Sequence, residues 1–238
     1  DGIYTSSNST FSPNKEEVLS GFRAFFAFSI CLLPIFIGFI LPILELSLWA
    51  YEVNIAFFNE KFFKNSINTF TLSIGTGLIC AGLALLINFS IRFKPSKLIK
   101  RLSSLLSIGY AVPGLILAVG MVQLMVGLDN LIFSNLDIVL TGSIFGLLVA
   151  YIIKTYALAN SSIESGYERI SNSIDDSSRI LGSTSWVMLF NIHAPLMKTA
   201  LLTSVLLVMS DVVKELPATL ILRPFNFETL AVSTYIYA

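Results

Sequence analysis

Charge is scarce in this chain. Only 13% of its 238 residues are Asp, Glu, Lys or Arg, against roughly 25% in a soluble domain. Acids and bases balance to a net charge of zero. A nucleic-acid partner, which needs a basic face, therefore gains no support. His193 is the single histidine, and Cys31 and Cys80 are the two cysteines. Both cysteines lie inside apolar blocks and read as small packing residues rather than as a disulfide or metal pair. One histidine with two distant cysteines offers no zinc or haem ligand set, so no metal site is expected. No Gly-x-x-x-x-Gly-Lys phosphate loop occurs, so any ATP used must be bound by another chain. Neither a Ser-His-Asp nor a His-Glu-x-x-His arrangement is present, which argues against a hydrolytic enzyme.

What the chain has instead is apolar length. Hydrophobic residues make up 55% of it, and they fall in long blocks rather than short alternating runs. That pattern names lipid as the solvent. Blocks at 22–48, 66–91, 102–128, 138–159 and 194–213 each approach or exceed the about 20 residues a helix needs to cross a bilayer. A weaker stretch, 229–238, reads as the start of a sixth helix cut short. Barrel strands are short and alternate in polarity, so helices fit better. The expected fold is all-α, a polytopic transmembrane helical bundle, with 1–21 as an N-terminal segment or linker and 22–238 as the membrane domain. The chain begins without methionine and ends in a helical pattern, as expected of a fragment open at both ends.

Orientation follows from the basic residues. Arg92, Lys94, Lys97, Lys100 and Arg101 crowd the loop between the second and third blocks, and the positive-inside rule puts that loop in the cytoplasm. Counting spans from there puts the N-terminus and 161–193 inside, and 52–64, 129–137 and 214–227 at the outer face. Small residues at four-residue spacing, Ser73, Gly77 and Ala81 and then Gly142, Gly146 and Ala150, point to close helix packing.

The polar stretch 161–195 is the most informative. Ile163, Tyr167, Ile170, Ile174 and Leu181 form a stripe at helical spacing. Ser173 and Asp176 match a capping box, and Asp175 and Arg179 are spaced for an ion pair on one helix face. Gly182 is a natural helix stop. A short capped helix over 174–181 is expected, serving either as a surface helix at the headgroups or as a knob that passes force from a soluble partner.

Asp176-Ser177-Ser178, then Gly182, Ile192 and Pro195, resemble the cytoplasmic loop of binding-protein-dependent ABC importer permeases. That family carries Glu-Ala-Ala, then Gly, Ile and Leu-Pro at the same spacing. Here Asp replaces Glu, two Ser replace two Ala, and Ala194 replaces Leu. The runs 110–114 (Tyr-Ala-Val-Pro-Gly) and 214–227 (Lys-Glu-Leu-Pro-Ala-Thr-Leu-Ile-Leu-Arg-Pro-Phe-Asn-Phe) are similar to the iron(III) branch of these permeases. The resemblance covers nearly all of the chain from about Ser20 and matches the second of two homologous halves, without its final span. It implies a type I importer fold in a bacterial inner membrane. It also implies a periplasmic iron-binding protein outside, a pair of ATPase subunits holding ATP-Mg inside, and another permease half alongside. The ATPase-coupling residues it marks are Asp176, Ser177, Ser178, Arg179, Gly182, Ile192 and Pro195.

A candidate path or gate gathers around the two runs. Asp211, Lys214 and Glu215 are ionisable groups at a span end, with Pro217 just beyond. They either anchor the helix at the interface or line the substrate path. Asp211 and Lys214 are spaced to pair. Pro113 lies within the third block, between Tyr110 and Gly114. It should leave the carbonyl of Gly109 without its helical partner, as a kink or as a wall of the path. The competing functions are an ion-gradient-driven secondary transporter and, with less behind it, a membrane enzyme.

Overall fold

The computed structural model describes residues 19–52, 59–131 and 139–237. Every regular element among the described residues is helical. The chain divides into two units, 1–57 and 58–238. The first contains α1 (Phe22–Ile35) and α2 (Leu41–Glu52), joined by a π-helical turn at Phe36–Ile40. Together they make one 31-residue apolar helix, long enough to cross a membrane. No polar stripe interrupts it, as expected of a helix that meets lipid on many sides.

The second unit is a bundle around α3 (Glu60–Phe93). Asn59 caps its start by accepting from Phe62 N at 2.9 Å. Its end falls at Lys94, just before Pro95, which bars the helical conformation to the residue preceding it. At 34 residues it is about 50 Å long, well over the bilayer core of about 30 Å. It packs on α6 (Ile144–Glu168) and α10 (Lys198–Val213). The small-residue rows act as expected where they face neighbours: Ser73, Gly77 and Ala81 are buried, and Gly77 lies under Val205 so closely that a Cβ would sit 3.1 Å from its carbonyl oxygen. Gly142 departs from that pattern. It forms the turn before α6 with φ +70°, while Ser143 caps the helix through Gly146 N at 3.1 Å. The Asp129 carboxylate ties that turn back to the preceding helix by accepting from Leu140 N at 2.8 Å and Thr141 N at 3.0 Å.

Two spans differ in kind from the continuous helices expected. The third is broken. It consists of α4 (Lys97–Ile108), a 3-10 turn at Gly109–Ala111 and α5 (Gly114–Leu131). Pro113 forces Val112 into extended backbone (φ −77°, ψ 127°), so the result is an interruption rather than a kink. The carbonyl of Gly109 is not left free, because the tighter turn gives it Val112 N at 3.2 Å.

The fifth span is longer and more interrupted than expected. An arm made of α8 (Ser185–Val187), a π-helical turn and α9 (Ala194–Leu196) meets α10 at a 76° bend. Then come α11 (Pro217–Leu222) and α12 (Leu230–Tyr237). The contacts with α3 give the direction of travel. His193 meets Phe89, Val205 meets Gly77, Leu230 N donates to Thr69 Oγ1, Asn65 donates to Ser233, and Lys61 lies over the Tyr237 ring. From 193 to 237 the chain therefore climbs α3 continuously away from the basic end. So 229–237 runs on in the direction of α10 rather than turning back, and 214–227, expected at the outer face, lies between the Val205 and Leu230 contacts on α3. Both follow α10 along α3. Composition cannot reveal this, since a buried break and an external loop use the same polar residues.

Candidate functional site

The break before Pro113 and the end of α10 meet Lys154 on the unbroken α6. At about 1.5 Å per helical residue, Gly109 just past α4, Lys154 on α6 and Asp211 on α10 each lie about 18–21 Å from the basic ends of their helices. Here a cavity of about 480 Å³ is lined by Tyr110, Pro113, Gly114, Lys154, Asp211, Lys214 and Glu215. Six of these residues are the candidate path residues named from sequence; Pro217 stands beside them, packing towards Gly114. Lys214 Nζ and Asp211 Oδ1 pair at 3.0 Å, as their spacing suggested.

Lys154 is the addition. It is bonded to Glu215 as a largely buried ion pair. Glu215 also accepts from Ala218 N at 3.3 Å, across the chain break and onto the first turn of α11. Tyr151 and Thr219 hydrogen-bond one helical turn farther out, at 2.5 Å. Gly114 roofs the pair, and a Cβ there would stand 2.9 Å from Lys154 Nζ. The sequence held a signal for Lys154, because it is the lone charge inside the fourth apolar block, and such a charge is a functional candidate by default. A second cavity of about 530 Å³ runs towards the basic end past Ser161, Ser165, Arg169 and Thr203. Tyr110 lines both cavities.

The loop expected from the sequence to couple sits at the basic end. Its helix, α7, spans Asn172–Ile180, two residues earlier at its start than expected. The cap is Ser171, which accepts from Ser173 N at 3.2 Å; the Ser173–Asp176 box does not form. Asp176 is exposed and has no partner among the described residues. Ser177 is exposed, whereas Ser178 is buried and bonds back to the Ile174 carbonyl at 2.7 Å. Gly182 N donates to Arg179 O at 3.0 Å and Ser183 N to Ser178 O at 3.0 Å, the two bonds of a Schellman end with φ +78° at Gly182. The stripe buries Ile163, Tyr167 and Ile170 but not Leu181, which is 84% exposed beside Ile180 at 86%. Ile163 and Tyr167 belong to α6, which continues beyond the expected span. Ile192 is half-buried and Pro195 exposed on the bent arm.

The expected Asp175–Arg179 pair is absent. Asp175 is buried and takes Arg92 Nε at 2.6 Å, while Arg179 lies over the Phe93 ring at 5.0 Å. A long-range partner inside the bundle wins over the local one because Asp175 faces inward and Arg179 faces out.

These features match a known group. The profile of the binding-protein-dependent transport system inner membrane component family matches residues 73–235, more than half of the chain. The chain belongs to that family. Two relatives, from Salmonella typhimurium strain LT2 and Salmonella choleraesuis strain SC-B67, are named for the permease PhnV of a 2-aminoethylphosphonate transport system. Each is 29% identical over 111 residues, which is 46% of this chain and 42% of the relative. The chain thus spans under half the length of these relatives.

With no cap to lose, Asp176→Ala leaves helix stability in place. We expect the variant permease to insert normally but to lose co-purification with its ATPase. Gly182 faces open space, so a substitution there does not fill the turn; it costs about 1–2 kcal/mol through the left-handed backbone alone. If Asp176→Ala keeps both the ATPase and uptake, α7 is a surface helix only.

Proposed function

We propose that this chain is part of the membrane-spanning permease subunit of an ATP-driven importer in a bacterial inner membrane. Cargo arrives from a periplasmic substrate-binding protein at the end opposite the basic loop. It passes through the cavity at the helix breaks, then Tyr110, then the second cavity. The α7 knob docks on one of two separate ATPase subunits, which bind ATP-Mg, while another permease half completes the path. The observation that carries this reading is the pair of cavities sharing Tyr110 where two interrupted spans meet Lys154 on the unbroken α6. Irregular backbone at membrane depth is tolerated where it lines a cavity.

Iron(III) as cargo is supported by the runs 110–114 and 214–227, and carboxylates such as Asp211 and Glu215 suit hard ferric iron as transient ligands. A second reading has its own observation. Lys154 and Lys214 put two cations beside the two carboxylates, a set that suits a small zwitterion such as 2-aminoethylphosphonate, for which the relatives are named.

Vesicles holding the full-length permease, its ATPase and its binding protein test this. Uptake of labelled ferric iron and of labelled 2-aminoethylphosphonate is measured in parallel, with ATP and with a non-hydrolysable analogue. ATP-dependent ferric uptake is expected. ATP-dependent phosphonate uptake alone would reassign the cargo. Uptake driven by an ion gradient without ATP would make the protein a secondary transporter.

A further inference from the structure

Arg92 holds the coupling loop through several contacts at once. It is the basic residue in the last turn of α3. Nε donates to Asp175 Oδ2 on α7 at 2.6 Å. One terminal nitrogen donates to the Tyr167 carbonyl at 3.0 Å and the other to the Ile170 carbonyl at 2.8 Å, at the end of α6 and in the turn that follows it. The guanidinium also lies 5.8 Å from the centre of the Tyr167 ring. The bent arm joins the same cluster, since His193 is fully buried with Nε2 3.0 Å from the second Asp175 oxygen, packed among Phe89, Phe93 and Tyr167. Four elements, α3, α6, α7 and the arm leading into α10, thus meet at one ion pair. The other basic residues of that loop, Lys94, Lys97, Lys100 and Arg101, are exposed.

We propose that Arg92 is a positioning residue for coupling, the strut through which movement of α7 reaches the membrane spans. This rests on the permease reading above. A rigid knob transmits movement only if its base is fixed to what must move. The capped end of α7 is open, and its tip residues Ile180 and Leu181 are exposed. Besides the packing of Ile174, Ser178 and Arg179 on the bundle, its charged anchor is Asp175, and Asp175 is held by Arg92. The planar fork of arginine serves the carboxylate and two carbonyls together, which the single ammonium of lysine cannot do. Arg92→Lys therefore keeps the charge and the fold but loosens the joint.

The test uses the full-length importer in vesicles. For Arg92→Lys, ATPase co-purification and ATP hydrolysis persist, while cargo transported per ATP falls about tenfold, the scale on which a residue in a coupling network acts. A merely structural role would lower the amount of complex, hydrolysis and uptake together and leave that ratio unchanged. A second readout does not depend on transport. With Cys31 replaced by serine, nitroxide labels at Ser90→Cys and Ser177→Cys should give one narrow α3–α7 distance when Arg92 is present, and a broadened distribution with Arg92→Lys. An unchanged ratio, or an unchanged distribution, overturns the proposal. If Arg92→Lys is poorly made, Asp175→Asn, which keeps the side-chain shape, must show the same shifts in smaller measure. Failure of the permease reading looks different: the unsubstituted importer would show no ATP-dependent uptake, whatever the label distances.

Discussion

Lys154→Met will abolish uptake and sharply reduce the amount of folded permease. The substitution leaves Glu215 in a largely buried position without its cation. Breaking a buried pair by removing one partner costs about 3–5 kcal/mol, because the remaining charge keeps its desolvation penalty. Membrane depth leaves little water to soften that cost. The double variant Lys154→Met with Glu215→Leu removes both charges, and replacing a whole buried pair with apolar groups is often close to neutral for stability. We therefore expect the double variant to regain normal abundance in the membrane. Uptake separates the two roles of the pair. If the charges line the path, the double variant is abundant but inactive. If it recovers both abundance and uptake, the pair only holds α6 to the break before α11, and the cavity is not the route. Membrane immunoblots and uptake assays on the single and double variants decide between these.

Gly109→Ala should be nearly as damaging, for a steric reason. A Cβ at Gly109 would stand 2.2 Å from the carbonyl oxygen of Ile153 and 2.9 Å from its Cγ2. The first of those neighbours is helix backbone, which cannot rotate away. The 3-10 turn and α6 would have to separate, at a cost of about 1–3 kcal/mol or more. That movement carries Tyr110 with it, at the wall common to both cavities. Uptake should fall by at least tenfold while thermal stability in detergent drops measurably. Normal uptake by Gly109→Ala would show that the close approach of α4 and α6 is not needed to shape the path. Gly75 makes a useful contrast, since a Cβ there meets nothing within 4 Å; Gly75→Ala should be silent.

The site is partly legible in the amino-acid sequence. Pro113 and the run 214–227 mark the two breaks, because proline and clustered polar residues interrupt helices wherever they stand. The short helix α7 and its stop at Gly182 are legible from their spacing. Their local partners are not. Both Ser173–Asp176 and Asp175–Arg179 satisfy pattern rules, yet Ser171 takes the cap and Arg92 takes the acid. Such rules rank nearby partners and know nothing of a guanidinium brought in from α3. Lys154 could have been flagged as a lone charge in an apolar block, whereas Arg92 could not. In sequence it is one of five basic residues in a loop, and only burial against two helix ends separates it from the other four.

Sequence alone determined that lipid surrounds this protein, that its spans are helices, and that the basic loop marks one face. Those conclusions depend on how much apolar length the chain carries and on where charge is excluded, and both are properties of composition along the chain. Tertiary structure decided that 198–237 follows α3 in one direction, and that the end of α10 meets the break at Pro113 around Lys154. It also decided that α7 is anchored through Asp175. Each of these is a question of which distant segments lie at the same depth. Helix packing settles that question, because a buried charge or an unpaired backbone group at membrane depth must find its partner on another helix.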